Sequence, residues 1–441
     1  MSTIILDNIL NFDNLGLLFT SELSNININP FLSIIPLIIV LALLFLKVDM
    51  IVAGLIGALF SVVVGGIEFS QLNAKMLESI PSMLNITIPI INSAIAMAVF
   101  KAGSYSASLE LFKRITKGKV EYLSGFIVIL LTAATYMSGI GGGSAMVIAP
   151  LAFAAVGVVP ELIAGMSLAA AVSFTTSPAS LESSVVSKLS GENLDMYVQI
   201  MRPYWIGFVI LAVLIAFVGT KRKKMGFKEA ENSKYSQMNN VTLLKYTSPA
   251  IFLLFAVIFG PVVNKLVNIN LFTPLTYMVV TLILITICTD FNLNQSVISM
   301  IDGSNYILTR LFQVGIFLGF INVIAMTGTF EVIASVAKSV PTVITVPMAV
   351  LTGILIGIPA GAYVGSVLSL VLPVAISLGF SLQAIGLVTI GVGLGSQMSF
   401  VNITMQALSS GFQIPILEVV KGNVKWIGMV SVLLIGISFF V

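Results

Sequence analysis

The glycine-rich stretch Ser138-Gly139-Ile140-Gly141-Gly142-Gly143-Ser144 decides the fold, because it interrupts 39 uncharged residues between Tyr122 and Pro160. Three adjacent glycines cannot hold a lipid-facing helix, and non-helical backbone is tolerated at membrane depth only where it is buried or faces water. The stretch therefore predicts a re-entrant hairpin that enters from the cytoplasm and presents backbone N–H groups and Ser144 at its tip. Two ordinary spans joined by a glycine turn outside the membrane are the alternative.

The composition of the 441-residue chain identifies lipid as its main solvent. Apolar residues make up 58% of the sequence and charged residues 9%, whereas a soluble domain carries about 25% charged residues. One closed core cannot absorb so many apolar side chains, so a soluble globular enzyme is excluded. We expect an all-α polytopic protein whose partner is the lipid bilayer of the plasma membrane, which is the inner membrane in a bacterium.

The scarcity of reactive side chains excludes several kinds of chemistry. The chain has no histidine, which rules out imidazole proton relays, His-ligated metals and Ser-His or Cys-His pairs. The single cysteine, Cys288, can form neither an internal disulfide nor a thiolate metal site. A serine hydrolase at Ser144 would need a lysine base, and Lys101 is expected at a cytoplasmic helix end. We therefore predict no enzymatic activity and no cofactor, and a net charge of +3 predicts no nucleic-acid partner.

About ten apolar runs are long enough to cross a bilayer, which takes roughly 20 residues. They cover 30–46, 50–66, 86–102, 162–182, 203–220, 248–263, 272–289, 306–327, 381–400 and 426–441, while the interrupted stretches 122–160 and 341–379 double back. A cytoplasmic loop 221–247 places 15 Lys and Arg residues inside and five outside, as the positive-inside rule requires. Both termini are then extracytoplasmic, and residues 1–29 form an extracytoplasmic segment rather than a cleaved signal peptide, because they contain no Lys or Arg.

The chain divides into two halves that resemble each other. Residues 30–220 form the first half and residues 248–441 the second, joined by the cytoplasmic linker 221–247. The glycine-rich stretch aligns with Gly357-Ile358-Pro359-Ala360-Gly361-Ala362 at an offset of about 220 residues. Each half contains five spans and one doubled segment, so the second half enters the membrane upside down. We predict two inverted five-helix repeats, each with a re-entrant hairpin and a broken helix.

A second interruption follows each predicted hairpin. Pro178 lacks an amide hydrogen and disfavours helical geometry at Ser177. Backbone carbonyls that lose their helical hydrogen bonds at the break, together with nearby hydroxyls, are good oxygen ligands for Na⁺. The unpaired amides at the start of the following half-helix can bind a carboxylate. The alternative is that Ser and Thr side chains only pack the helices together. The candidate binding residues of the hairpins and breaks are Gly141, Gly142, Gly143, Ser144, Ser173, Thr175, Thr176, Ser177, Pro178, Ser180, Gly357, Pro359, Gly361, Ser396, Gln397, Ser399, Asn402 and Thr404, and Na⁺ is expected at Thr175, Thr176, Ser396 and Asn402.

Two charged residues within apolar runs are candidate charge partners. Arg310 lies near the predicted cytoplasmic end of its run. It is either a countercharge for an anionic substrate or a side chain that snorkels to the membrane interface. Glu182 follows the first break closely. It is either a proton carrier or cation ligand, or part of an ordinary extracytoplasmic helix end.

The motif Ser177-Pro178-Ala179-Ser180 resembles the Ser-Pro-x-Ser element of anaerobic C4-dicarboxylate carriers and of NhaC-type Na⁺/H⁺ antiporters. The spacing onward to Arg202-Pro203-Tyr204-Trp205 is similar to the latter group. From about residue 30 to the end, the arrangement resembles the ion transporter superfamily. Two departures stand out. Leu181-Glu182-Ser183 replaces the Asp-Thr-Thr of the NhaC-type proteins, and the Ser-Asn-Thr signature of divalent-anion symporters is absent.

The resemblance implies a secondary active transporter for a small organic anion, a di- or tricarboxylate as in the C4-dicarboxylate and citrate carriers. Transport would be coupled to Na⁺ or H⁺ and proceed by alternating access. One hairpin and one broken helix per half would move against the remaining helices, which are candidates for a homodimer contact. A Na⁺/H⁺ antiporter of NhaC type is an alternative, with Glu182 as its titratable group. An exchanger of amino acids or other carboxylates is another.

Overall fold

The computed structural model describes residues 30–46, 48–84, 87–117, 119–223, 234–330, 332–333, 341–358, 361, 364–400 and 402–441. Within these ranges the chain forms eighteen α-helices, one short 3-10 helix and no β-strand. This confirms the predicted all-α class. The predicted N-terminal segment 1–29 and residues 224–233 of the linker lie outside the described ranges.

The first half of the chain contains ten of these helices. They are α1 Pro30–Phe45, α2 Met50–Gly65, α3 Phe69–Leu84, α4 Thr87–Lys101, α5 Ser104–Ile115, α6 Val120–Ser138, α7 Gly141–Val156, α8 Pro160–Thr176, α9 Leu181–Ser190 and α10 Leu194–Arg222. The interrupted stretch 122–160 thus corresponds to α6 and α7, and the first break separates α8 from α9. Helices α3 and α5 fall outside the predicted spans because charged and polar residues cover one side of each.

The second half contains the other eight helices. They are α11 Asn240–Val267, α12 Pro274–Cys288, α13 Leu293–Ala325, α14 Thr342–Gly357, α15 Val364–Ser377, α16 Leu382–Ser396, α17 Ile403–Phe412 and α18 Ile416–Ser438. The helix that contains the span predicted at 306–327 starts earlier, at Leu293. A capping box there, in which Asn292 and Gln295 each bond the other's backbone N–H, provides the start signal.

Several helices have the length and surface of membrane spans. Within the described residues, five helical segments are long and apolar enough to cross a membrane: Val120–Ser138, Pro160–Ser190 (which comprises α8, α9 and the residues between them), Leu194–Arg222, Asn240–Gly260 and Ile416–Ser438. Large apolar side chains recur at helical spacing on the outer side of α10, at Ile206, Ile210, Leu214 and Val218, and all are exposed. Stripes of this kind are unfavourable in water. The fold is therefore compatible with a multi-pass α-helical membrane protein.

The broken helices lie at the centre of the fold. Helices α8 and α16, which precede the two breaks, pack against each other, and each also packs against the first arm of its neighbouring hairpin, α6 or α14. The second arm of each hairpin packs against a helix of the other half: α7 packs against α17, and α15 packs against α9. Every residue of α8 from Leu162 to Thr176 is buried. Each half therefore buries its break against elements of the other half.

The remaining helices pack around this centre. Helices α2, α3 and α4 lie along the 33-residue α13, and α1 packs on α2. Helix α5 packs against α11, where Arg114 donates to the carbonyls of Ser236 at 2.7 Å and Met238 at 2.6 Å. Lys234 pairs with Asp290 at 3.0 Å in the turn before α13. The described end of the linker is thus tied to both halves.

Candidate functional site

The first break consists of Ser177, Pro178, Ala179 and Ser180, between α8 and α9. Helix α8 ends here because Pro178 has no amide hydrogen and Ser177 before it is extended, with ψ of 141°. Ser180 starts the next helix as its N-cap, since its Oγ accepts a hydrogen bond from the Ser183 amide at 3.1 Å. The Ser-Pro-x-Ser motif therefore encodes both the end of one helix and the start of the next.

The hydroxyls just before the first break are occupied within the protein. Thr175 Oγ1 donates to the Ala171 carbonyl at 2.8 Å, and Thr176 Oγ1 donates to the Val172 carbonyl at 2.7 Å. The Thr175 carbonyl accepts the Tyr197 hydroxyl at 2.7 Å. Both threonines are candidate Na⁺ ligands. Each hydroxyl donates its hydrogen to a backbone carbonyl, but its oxygen still has a lone pair that could coordinate Na⁺, so this role stays a prediction.

Aromatic side chains and a guanidinium surround the first break. Ser177 Oγ donates to the Tyr136 carbonyl at 2.5 Å. The Tyr136 ring packs on Trp205 with centroids 4.3 Å apart, and Trp205 Nε1 donates to Ser173 Oγ at 3.1 Å. The Arg202 guanidinium interacts electrostatically with the Tyr136 side chain, while its buried Nε has no hydrogen-bond partner. This break is therefore enclosed by large, rigid side chains and one positive charge.

The second break runs from Ser396, the last residue of α16, to Asn402, the N-cap of α17. Asn402 Oδ1 accepts the Met405 amide at 3.1 Å. Its Nδ2 donates to the Gly361 carbonyl at 2.9 Å and to Ser396 Oγ at 3.2 Å. One buried amide side chain thus joins the break, the start of α17 and the tip of the second hairpin.

The first hairpin has a shorter irregular tip than its seven-residue glycine-rich stretch predicts. Only Gly139 and Ile140 lie between α6 and α7, because Gly141–Gly143 form the first turn of α7. First-turn amides have no partner within their own helix, and no side chain caps α7. A Cβ on Gly142 would overlap Ile403, so glycine permits the starts of α7 and α17 to approach each other.

Both hairpin tips, the second break and the start of α9, which follows the first break, meet at one cavity of about 90 Å³, which we call the central cavity. A buried water needs roughly 10–15 Å³ on this measure, so the cavity has room for several waters or a small ion. Its lining residues are Met50, Gly139, Ile140, Gly141, Gly142, Phe174, Leu181, Glu182, Gln313, Val314, Gly361, Val364, Gly365, Ser366, Asn402, Ile403 and Thr404. The first residues of four helices, α7, α9, α15 and α17, are among them.

The electrostatics of the central cavity come mainly from the backbone. Each helix N-terminus carries roughly +0.5 elementary charge, and four such ends line the cavity. Glu182, in the first turn of α9, is the ionisable side chain that lines it within the described residues. The backbone of Arg310 lies one turn before Gln313, which lines the cavity, and about five turns inside α13 rather than near its end. The side chain of Arg310 lies outside the described part of the chain.

The structure brings some of the predicted site residues to the central cavity and leaves others beside it. The cavity is lined by Gly141, Gly142, Glu182, Gly361, Asn402 and Thr404. The residues that are described but do not line it are Gly143, Ser144, Ser173, Thr175, Thr176, Ser177, Pro178, Ser180, Gly357, Ser396, Gln397 and Ser399. Pro359 lies outside the described residues. The hydroxyls close to the breaks donate to backbone carbonyls, and their role in binding stays a prediction.

A smaller pocket of about 30 Å³ lies behind the first hairpin tip. Gly143 and Ser144 line it together with Ser138 and Tyr105. The Tyr105 hydroxyl is buried without a hydrogen-bond partner. Ile140 lines both this pocket and the central cavity. The predicted tip residue Ser144 therefore faces a separate hydroxyl-lined space.

Sequence reasoning missed Gln313, Tyr136, Tyr197, Arg202 and Asn423. One signal for the last two was present: both tryptophans of the chain lie in the same tripeptide, Trp205-Ile206-Gly207 and Trp426-Ile427-Gly428. When these tripeptides are aligned, Arg202 on α10 corresponds to Asn423 on α18, because each lies three residues before the tryptophan. The same position beside each break thus carries a charge in one half and a neutral amide in the other.

No protein-family model and no curated protein matches this chain. The resemblance to the ion transporter superfamily therefore rests on the residues and motifs of the sequence, and it stays a prediction.

Proposed function

We propose that the protein is a secondary active transporter of a small organic anion, a di- or tricarboxylate, coupled to Na⁺ or H⁺ by alternating access. Membership of the ion transporter superfamily is part of this proposal. The observation that carries it is the convergence of four helix N-termini on the central cavity. Helix N-termini bind anions through their free N–H groups and positive dipole ends, as they do at the midplane sites of transporters.

The charge of the cavity supports both the anion and the coupling ion. Four helix N-termini supply about +2 elementary charges, which matches a dicarboxylate dianion. An ionised Glu182 in the same cavity reduces this to about +1. A dianion then leaves the loaded site with a net negative charge, which a bound Na⁺ or a proton would neutralise. Coupling to a monovalent cation would lower the cost of moving the loaded site through the membrane.

The cross-packing of the two halves supports the inverted repeat and the alternating-access part of the proposal. Helix α7 packs on α17 and α15 packs on α9, while α8 packs on α16. Two inverted halves related in this way can exchange conformations and so open the site to alternate sides. In this proposal both termini are extracytoplasmic and the linker faces the cytoplasm. The bilayer is an inner or plasma membrane. The helices outside the hairpins and broken helices provide a homodimer contact.

Counterflow uptake tests the proposed function. Purified protein in proteoliposomes is loaded with unlabelled succinate or citrate and supplied with the labelled compound under a Na⁺ or a pH gradient. Thr404→Val removes one hydroxyl from the cavity, and Thr132→Val is its control, since both threonines are 3% exposed and Thr132 lies in α6 away from the cavity. We expect Thr404→Val to lose at least tenfold in kcat/KM and Thr132→Val to keep it. Absence of carboxylate uptake would overturn the proposed function, and equal uptake by the two variants would overturn the central cavity as its binding site.

Glu182 favours a second candidate function, Na⁺/H⁺ antiport, because a carboxylate that lines the cavity can exchange a proton for a cation. Proton release driven by Na⁺ in liposomes without organic anion, and lost in Glu182→Gln, would establish antiport. The anion transporter predicts instead that Glu182→Gln still carries out carboxylate counterflow and loses only its response to pH. Labelled amino acids in the same counterflow assay would reveal the amino-acid exchanger.

A further inference from the structure

A second cavity, of about 270 Å³, lies between α1 and the two arms of the second hairpin, α14 and α15. We call it the lateral cavity, and its wall consists of Leu37 and Leu41 of α1, Ile333, one side of α14 from Thr345 to Ile356, and one side of α15 from Leu370 to Leu378. None of the three helices contains a charged residue, and all three are apolar. Met348 in the α14 wall is 50% exposed, so the cavity borders the outer surface of the fold.

The lining of the lateral cavity offers almost nothing to water. Its polar side chains within the described part of the chain are Thr345 and Thr352. Thr345 Oγ1 donates its only hydrogen to the Pro341 carbonyl at 3.2 Å, and Thr352 Oγ1 donates to the Met348 carbonyl at 2.8 Å. A buried water needs two to four polar partners, and an apolar cavity of about 150 Å³ in another protein stays dry and binds benzene. The expected occupant is therefore apolar.

The length of the lateral cavity matches one lipid chain. Its wall on α14 extends from Thr345 to Ile356, which is about 16 Å at the helical rise of 1.5 Å per residue. The hydrocarbon core of a bilayer is about 30 Å thick, so the chains of one leaflet extend over about 15 Å. A single acyl chain that lies along α14 would therefore contact the whole wall.

The two halves of the chain differ in how they fill this position. In the register that aligns Gly139 with Gly357, Leu131 of α6 corresponds to Ala349 of α14. Leu131 is fully buried in the main hydrophobic core, whereas Ala349 lines the lateral cavity. The second hairpin thus has a methyl group where the first has a complete leucine side chain. Atoms that line a void lack dispersion contacts on one side, which favours an occupant that restores them.

We propose that the lateral cavity binds one acyl chain of a bilayer phospholipid. The chain enters beside the exposed Met348 and packs both arms of the second hairpin against α1. Leu370, at the inner end of the cavity, lies one helical turn after Ser366, which lines the central cavity. The bound chain therefore stabilises the second hairpin close to the central cavity. This site does not depend on which solute the protein transports.

Photocrosslinking with a phospholipid tests this site. The protein is reconstituted in phosphatidylcholine vesicles that contain a small fraction of phosphatidylcholine with a diazirine in one acyl chain, and the labelled residues are identified by peptide mass spectrometry. We expect labelling of Leu370 and Ala375, which line the cavity but are only 3% and 2% exposed, so that lipid on the outer surface cannot reach them. Ile210, on the exposed side of α10, reports labelling by the surrounding bilayer.

A variant that fills the cavity should prevent this labelling. Ala349→Leu introduces the residue of the first half and should lower the labelling of Leu370 at least about fivefold, because the added side chain occupies the space of the lipid chain. Val343→Leu is the control on the same helix, since Val343 is exposed and does not line the cavity. It should leave the labelling of Leu370 unchanged, and Ile210 should be labelled equally in both variants.

Ala375→Leu, which fills the cavity from the α15 wall, keeps the test decisive if Ala349→Leu does not fold. A ligand of the folded state raises Tm, so adding phosphatidylcholine to the delipidated protein should raise the Tm of the native chain more than that of Ala375→Leu. No labelling of Leu370 in the native chain, or labelling that neither filling variant lowers, would overturn the site. Labelling of Leu370 by diazirine-bearing palmitate but not by the phospholipid would overturn the phospholipid as its occupant.

Discussion

The two breaks occupy equivalent places in the two halves but are built from different side chains. The first is enclosed by Tyr136, Trp205 and Arg202, whereas the second is held by the amides of Asn402 and Asn423. Rigid aromatic rings fix the geometry of the first break from outside, and hydrogen bonds of a few small side chains fix that of the second. The two halves therefore have similar backbone arrangements but different side chains at their breaks: aromatic rings and a positive charge at the first, and neutral amides at the second.

The largest effect is expected where the first hairpin tip meets the first break. Gly139 has φ of +70°, and a Cβ there would overlap the Ala179 carbonyl, which belongs to the backbone and cannot move aside. Gly139→Ala should destabilise the protein by at least about 3 kcal/mol, since the left-handed conformation alone costs about 1–2 kcal/mol for alanine. Thermal unfolding in detergent measures this effect, and uptake by proteoliposomes should be lost.

Two glycines serve as controls for this prediction. Gly191 also has a positive φ, of +74°, but nothing lies within 4 Å of its Cβ position, so Gly191→Ala should cost only about 1–2 kcal/mol. At the second hairpin, a Cβ on Gly361 would overlap Ser399 Cβ, but Gly361 has no positive φ, so Gly361→Ala should be milder than Gly139→Ala by the cost of the left-handed conformation. Equal losses for Gly139→Ala and Gly191→Ala would show that the tip does not press on the break.

A smaller effect should distinguish the N-caps that follow the two breaks. Asn402→Ala removes a cap and two further hydrogen bonds, to Gly361 and Ser396, and should cost about 2–4 kcal/mol. Ser180→Ala removes the cap of α9 and one donated hydrogen bond, to the Ser177 carbonyl or to Ser183 Oγ, and should cost about 1–2 kcal/mol. Asn402→Ser keeps a capping oxygen and should fall between them. The unfolding temperatures of the three variants test this order, and a reversed order would mean that the first break depends on its cap more than the second.

The smallest effect is expected far from both breaks, at the exposed pair of Lys234 and Asp290. The Tyr246 hydroxyl and then Lys234 hold the pKa of Asp290 below its ordinary value. Because the folded-state pKa is depressed, the stabilisation is present above about pH 4 and is lost as the pH falls through the lowered pKa. Asp290→Asn should cost less than about 1 kcal/mol at pH 7, since surface pairs contribute little. Unfolding measured at pH 7 and pH 3 should show a larger difference between the variant and the native chain at pH 7 than at pH 3.

The sequence predicted the first break better than the second. Pro178 and the glycines at 141–143 act locally, so their effect on the backbone can be read from neighbouring residues. The second break has no proline, and only its place after the second predicted hairpin indicates it. Gln313 could not be predicted, because it reaches the cavity from the middle of α13 through packing between distant segments. Local rules identified where the backbone breaks, and tertiary packing decided which side chains face the cavity.

The close fit between Gly139 and Ala179 also bears on how the molecule can move. Because the backbone at Gly139 lies so close to Ala179 and Ser180, we expect α6, α7 and the first break to shift together. Bending then has to occur where backbone packing is loose. Gly191, in a left-handed turn between α9 and α10 with open space around it, meets that requirement. Hinge positions of this kind absorb large backbone changes at little cost.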